Sequence, residues 1–301
     1  MIKFLVNPMA QIQQNNSFNK TISLAAVTTA ALLMFSFFGA PFVRVLATTV
    51  RSSIFWLVGG LLVAALFVFN LSIASIYVGA VWMTLGFYSE LEKRGTSWKK
   101  TGLLALTAGL LFAVICVLVI TRGSVIESDL VKNFMKPLQE AMKQMLPAEE
   151  FSKFDITQCL FGIFAAILAS ALAISFIFES KIFTLFNLKR EKIASSIKWV
   201  EFRVPDVFIW FSLFGFLFSL VDLKIPHLKI AATNFSIFSI VVFFFQGISV
   251  IEFMTRVFRT GFFTKIALYL LILGWLGPAI SFVGLLDYWV NFRKMVRKKI
   301  K

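Results

Sequence analysis

The sequence predicts an all-α polytopic transmembrane helical bundle. Hydrophobic residues make up 59% and charged residues only 15%, against roughly 45–50% and about 25% in a soluble domain. The apolar residues come in long blocks rather than in alternation, and the 30 Lys+Arg gather in short connections beside those blocks. A water-soluble fold of this length would lack the polar residues to cover its surface, so lipid must cover it. The expectation is one integral membrane domain over residues 1–301. It should hold about eight full-length spans plus short or broken helices, with one amphipathic helix outside the membrane.

The first apolar block follows the polar run Gln11–Asn19 and extends from Ile22 to Ala40. A secretory signal has a short apolar core and a small-residue cleavage site; this block runs on to Pro41 and reads as a retained span. Phe42–Val50 is too short to cross a bilayer and carries Arg44. The remaining span candidates are Ser53–Phe69, Leu71–Tyr88, Gly102–Thr121, Thr157–Phe178, Asp206–Val221, Ile230–Ile251 and Ile266–Tyr288. Inside a bilayer the backbone must bond to itself, as helices or a closed barrel. Barrel strands are short and alternating, whereas these blocks are long and apolar all round, so they are helices.

Charge orients them. Glu90–Thr101 holds four Lys/Arg, Glu179–Asp206 holds six, and Arg293–Lys301 holds six in nine residues. These three face the cytoplasm by the positive-inside rule. Residues 122–156 hold five basic and six acidic residues and should face outward, as should Asp222–Lys229. Equal crossings would leave the N-terminus and the basic tail, residues 292–301, outside. Two devices restore cytoplasmic termini: a half-helix after Pro41, and a last block broken at Gly274 and Gly277-Pro278 into a hairpin. In the outward loop, Ser128 is an N-cap candidate. Leu130, Phe134, Leu138, Met142 and Met145 then recur at helical spacing, with Val131, Met135 and Leu146 beside them. Pro137 should kink this helix. Such a helix lies on the membrane, caps the bundle, or closes over a cavity.

The chemistry of known enzyme motifs is missing. There is no phosphate loop, no C-x-x-C and no nucleophile elbow, and one histidine allows no H-E-x-x-H. The chain is expected not to be an enzyme, and to use no cofactor and no metal. Cys116 and Cys159 sit in apolar segments and read as packing residues. His227 reads as a solvated loop residue. The net charge of +15 points to anionic lipid rather than nucleic acid, since no basic domain exists to lie along a duplex.

Polar residues at membrane depth are the functional shortlist, because burying them in lipid is costly. Asn234 and Gln246 lie in the seventh block, where they either hydrogen-bond between helices or line a cavity. Glu252 ends that block with Arg256 at i+4, an arrangement that pairs on one helical face. Asp287 closes the last block beside Tyr288 and Trp289, with Arg293 in reach. Asn234, Gln246, Glu252 and Asp287 are thus the substrate-cavity candidates. Small residues at four-residue spacing, Ala26 and Ala30 in the first block and Gly162, Ala166 and Ser170 in the fifth, are candidates for close helix packing.

Several stretches are recognisable. Val204-Pro205-Asp206, Asn234, Phe245-Gln246-Gly247-Ile248-Ser249-Val250-Ile251 and Gly284-Leu285-Leu286-Asp287-Tyr288-Trp289-Val290-Asn291-Phe292-Arg293 resemble the YybS-like proteins, a family of uncharacterised bacterial membrane proteins also called domain of unknown function 2232. The likeness extends loosely through Lys93-Arg94-Gly95. It implies a bacterial cytoplasmic (inner) membrane protein and no particular activity. The layout also looks like the substrate-binding subunits of energy-coupling-factor transporters, whose first span carries Ala-x-x-x-Ala, here Ala26 and Ala30. The functional expectation is therefore a small-molecule transporter or transporter-like substrate-binding subunit, with a small-molecule ligand and a membrane protein as partners. The alternative is a non-transporting scaffold or regulator that recruits partners.

Overall fold

The computed structural model describes residues 23, 27–30, 39–122, 129–145, 156–188, 199–221, 225–274 and 276–300. The described residues are helical. In order they form α1 (Ala40–Thr49), α2 (Ser52–Val68), α3 (Ser72–Lys93), α4 (Trp98–Thr121), α5 (Asp129–Met145), α6 (Leu160–Leu185), α7 (Asp206–Leu220), α8 (Pro226–Val257), α9 (Phe262–Gly274), α10 (Gly277–Val290) and α11 (Phe292–Ile300). Short 3-10 turns, Ile156–Cys159 and Trp199–Glu201, lead into α6 and α7. The chain divides into two compact units, Met1–Ala113 with Ala171–Ser195, and Val114–Ser170 with Ser196–Lys301.

The expected blocks turn out unequal. Among the described residues, four helices are long and apolar enough to cross a membrane: α3, α4, Thr157–Leu185 and α8. The helices α2 and α7 are apolar but have 17 and 15 residues. Such helices reach ~25 and ~22 Å, short of the roughly 30 Å hydrocarbon layer. Among the described residues the apolar blocks thus differ in length, and α2 and α7 are the shorter ones. The first block lies outside the described residues except for Ser23, residues 27–30 and its last two residues, Gly39 and Ala40, where α1 begins. The short helix after Pro41 is present as α1, with the proline in its first turn, where a missing N–H costs nothing. The last block is broken as the glycines and proline suggest: Phe263–Ile272 and Gly277–Val290 are bent by 98°. His227 is exposed but sits in the first turn of α8, not in a loop, because Pro226 starts that helix early.

Most helix ends turn on one residue in the left-handed conformation: Asn70, Gly95, Arg122, Asn187, Arg259 and Asn291, with φ between 48° and 75°. The following N–H then returns to the helix, as in Leu71 N to Leu66 O at 2.9 Å and Leu188 N to Phe183 O at 2.9 Å. Asparagine and glycine tolerate this backbone best.

In the first unit, α1 is buried on nearly all sides. The α2–α3 hairpin packs by placing glycines under rings. A side chain at Gly59 would collide with the Trp82 indole, and one at Gly86 with Phe55 and Trp56. Phe55 stacks on Trp82 with centroids 4.8 Å apart.

In the second unit, α8 packs against α7 and α10. A Cβ on Gly247 would overlap the Ile280 carbonyl oxygen, and one on Gly284 the Phe243 carbonyl oxygen. The α8–α10 crossing thus brings backbone against backbone, which only glycine permits. The amphipathic helix of the outward loop is α5, and it runs through Pro137. Its apolar face is not left on a membrane surface. Val131 and Met135 are buried against Val117, Leu160 and Ile163, so α5 caps the ends of α4 and α6 within this unit. Ser128 and Leu146 lie outside the described residues.

Alanine substitutions distinguish a close crossing from a passive glycine. Gly284→Ala pushes a methyl into backbone that cannot rotate away, and should lower the thermal midpoint and the monodisperse yield in detergent. Gly60 has open space around it, so Gly60→Ala should hold or raise the midpoint, since alanine is favoured in a helix by roughly 0.5–1 kcal/mol. Equal midpoints for the two variants would show that α8 and α10 are not in backbone contact.

Candidate functional site

Among the described residues, Arg44 is the largest fully buried side chain, 1% exposed. α1 carries it into the first unit between the ends of α3 and α6. Its Nη2 donates to Glu92 Oε2 at 3.0 Å and its Nε to Glu179 Oε2 at 3.1 Å. The guanidinium carbon lies 4.9 Å from the Tyr88 ring centroid and 4.5 Å from that of Phe176. Its Nη1 has no hydrogen-bond partner among the described residues. The aromatic faces supply the electrostatic contact on that side instead. Around this centre, Lys93 Nζ donates to Ala47 O at 2.9 Å at the C-terminal end of α1, where a cation also meets the helix dipole. Ser52 donates to Glu90. Sequence reasoning saw Arg44 only as a reason not to make a span of its segment. The acids that answer it lie 48 and 135 residues away.

Gln246 is fully buried in the second unit and joins three elements. Its Oε1 accepts the Val204 N–H at 2.9 Å and its Nε2 donates to Gly284 O at 2.8 Å. Val204 needs this because it precedes Pro205 in the extended run before α7, outside any ladder of backbone bonds. Asn234 does the same for the start of α6. Its Oδ1 accepts the Gly162 N–H at 2.5 Å, one of the orphan donors of the first turn, while its Nδ2 donates to Gln158 O at 2.6 Å and Ile230 O at 2.8 Å. Both amides therefore bond backbone groups of neighbouring elements.

Asp287 is 1% exposed. Its Oδ1 accepts the Phe292 N–H at 3.0 Å and caps α11, and its Oδ2 lies 3.6 Å from Arg293 Nη2. Arg293 also donates to Phe202 O at 2.8 Å, and Arg203 to Tyr288 O at 3.1 Å. Burial pulls the Arg293 pKa below the ordinary arginine value, and Asp287 opposes that pull.

Glu252 differs from the other three candidates. It stands near the end of α8, and its side chain keeps 17% of its exposure. Arg256 Nε donates to Oε1 at 2.7 Å, as the i,i+4 spacing implied, and the Tyr269 hydroxyl donates to Oε2 at 2.6 Å. Lys265 Nζ is 3.9 Å away. Tyr269 and Lys265 belong to α9, the first arm of the broken pair, so this cluster holds the elbow between α8 and α9. Neither residue was visible as a partner in the sequence, because only the turn at Phe258–Gly261, with Arg259 in the left-handed conformation, brings α9 back onto α8.

Of the packing candidates, Gly162 meets the Asn234 backbone directly. Ala166 is buried and Ser170 donates to Ala166 O at 2.8 Å within α6. Ala30 is exposed, and Ala26 lies outside the described residues.

A family model described as a predicted membrane protein (DUF2232) matches residues 20–288. No curated protein and no solved structure matches the chain. The segments that carry the family resemblance meet in space. Val204, Gln246 and Gly284 form one hydrogen-bonded clamp, and Gly247 and Gly284 form the crossing beside it.

Two substitutions test these assignments. Arg44→Met takes the guanidinium from two buried carboxylates and should cost ~3–5 kcal/mol of stability. Adding Glu92→Gln and Glu179→Gln should restore most of the thermal midpoint, and a triple variant no better than Arg44→Met would show that the ion pairs are not the reason for the loss. Gln246→Leu leaves the Val204 N–H and the Gly284 carbonyl buried and unanswered, about 1–3 kcal/mol for each group. A midpoint within a degree of the unaltered protein would remove the clamp from the account.

Proposed function

The chain belongs to the predicted membrane protein family DUF2232, and from that premise we propose that it is a multi-pass transporter-like subunit of the bacterial inner membrane, not an enzyme, whose small-molecule contact lies at the α8–α9 elbow. Both termini face the cytoplasm in this reading, as the basic connections suggest. The observation that carries it is Glu252. Its carboxylate, partly open, is held by Arg256 and by Tyr269 of α9, the first arm of a helix pair bent by 98° between Ile272 and Gly277. Broken helices inside membranes are tolerated where protein or a water-filled cavity receives the freed backbone groups, and transporters place binding groups at such breaks.

A second reading, a non-transporting scaffold, is favoured by a different observation. Asn234 and Gln246, the amides best placed for a cavity, are taken up by backbone groups.

Accessibility separates the two. In a Cys116→Ser, Cys159→Ser background, Tyr269→Cys is exposed to a membrane-impermeant maleimide on right-side-out and on inverted vesicles. Alternating access predicts labelling from both faces, with Glu252→Cys behaving alike. Labelling from one face only would overturn the transporter reading and leave the scaffold.

A further inference from the structure

The last nine helical residues, FRKMVRKKI, form α11, and the protein holds this helix in place from one side. Asp287 caps its first turn, Asn291 Oδ1 takes the Lys294 N–H at 3.4 Å, and Arg293 is buried under Phe202. One turn on, the Arg297 guanidinium lies 5.3 Å over the Phe253 ring and 3.8 Å from Glu201. Positions 293 and 297 therefore mark the inward face, so Lys294, Met295 and Lys298 are turned outward, and all three are exposed. The same end of the unit displays Arg256 and Arg259 at the close of α8, both exposed. Of the acids at this end, Asp287 is buried and Glu252 is paired, which leaves Glu201, beside Arg297, and Asp206, at the start of α7, as the exposed ones among the described residues. Exposed apolar side chains border the basic ones: Trp289 and Val290 at the end of α10, Phe258 after α8, and Met295 within α11 itself.

We propose that α11 is a fixed interfacial helix that binds the anionic headgroups of the bilayer holding the chain, through Lys294 and Lys298 with Arg256 and Arg259 alongside. The charge is of the right sign for phosphate-bearing lipid. The apolar border is what distinguishes a membrane surface from a soluble polyanion: Trp289 and Met295 enter the headgroup boundary while the lysines remain in it. Because Asp287 and Arg293 hold the helix from within, the basic face is presented in one orientation rather than on a loose tail.

The test uses the full chain purified in a neutral detergent. Short-chain phosphatidylglycerol is titrated in, and bound lipid is counted by native mass spectrometry while the thermal midpoint is followed. Phosphatidylglycerol should be retained and should raise the midpoint; phosphatidylcholine should do neither. Lys294→Gln and Lys298→Gln should each weaken retention about fivefold, the change that ~1 kcal/mol per basic residue near an anionic surface represents. The charge-keeping pair Lys294→Arg/Lys298→Arg should bind as the unaltered protein does, which separates lost charge from lost folding. Retention unchanged in the glutamine variants would overturn the proposal. So would equal binding of the two lipids. Inorganic phosphate or a single-stranded oligonucleotide that competes as well as phosphatidylglycerol would assign the face to a soluble anion or to nucleic acid instead.

Discussion

A polar group enclosed among lipid chains has no water to turn to, and this constraint governs the structure more than any single contact. Each unsatisfied backbone group at membrane depth costs several kcal/mol. Helices satisfy their interiors, so the difficulty gathers wherever a helix stops. The structure answers it with the same few devices at each stop. Left-handed residues fold the last carbonyls back on themselves at Asn70, Gly95, Asn187 and Asn291. Side-chain amides reach the loose groups at Gly162 and Val204. A carboxylate takes the first N–H of α11, and an ammonium takes a carbonyl near the end of α1. These residues are polar because the fold is interrupted, and the interruptions would be too costly without them.

The same constraint explains what could be read from the sequence. The helices themselves were legible, because long apolar blocks without alternation have no other solution in a bilayer. Two irregular places were legible too, α1 behind Pro41 and the break around Gly277-Pro278, because proline and glycine act locally on the backbone. The Glu252–Arg256 pair followed from helical spacing alone. Partners set by tertiary structure were not legible. Gln246 was recognisable as a costly residue, but nothing in its neighbourhood names Val204 or Gly284 as its counterparts. Arg44 was read as an obstacle to a span. Only its acids, each on another helix, make it the centre of a unit. Block lengths were less legible, since α2 and α7 share the composition of the longer helices but are shorter.

The two buried polar centres do different work. Around Gln246 and Asn234 the hydrogen bonds run from neutral side chains to backbone, so they fix register between helices that also touch through Gly247, Gly284 and Gly162. Glycine lets the backbones approach, and the amides determine which backbone atoms meet. Around Arg44 the groups are charged. A buried ion pair contributes little net stability relative to apolar packing, because desolvation offsets its attraction. Its effect is selective: an arrangement of α1, α3 and α6 that separates Arg44 from Glu92 and Glu179 leaves charges stranded. The native pairing is thus enforced by the cost of every other one.

That distinction decides where function is best sought. The polar atoms of Gln246 and Asn234 bond backbone groups, and Asp287 divides its carboxylate between the Phe292 N–H and the Arg293 guanidinium. Glu252 is held otherwise. Its partners are side chains, Arg256, Tyr269 and Lys265, and the Arg256 side chain is 61% exposed. Side chains on a helix end and on the arm of a bent pair can rotate away at the cost of rotamers rather than of secondary structure. Among the four residues singled out by their cost in lipid, Glu252 is thus the one whose acceptors are met by side chains from two helices, and the ligand site proposed at the elbow rests on that freedom of its partners.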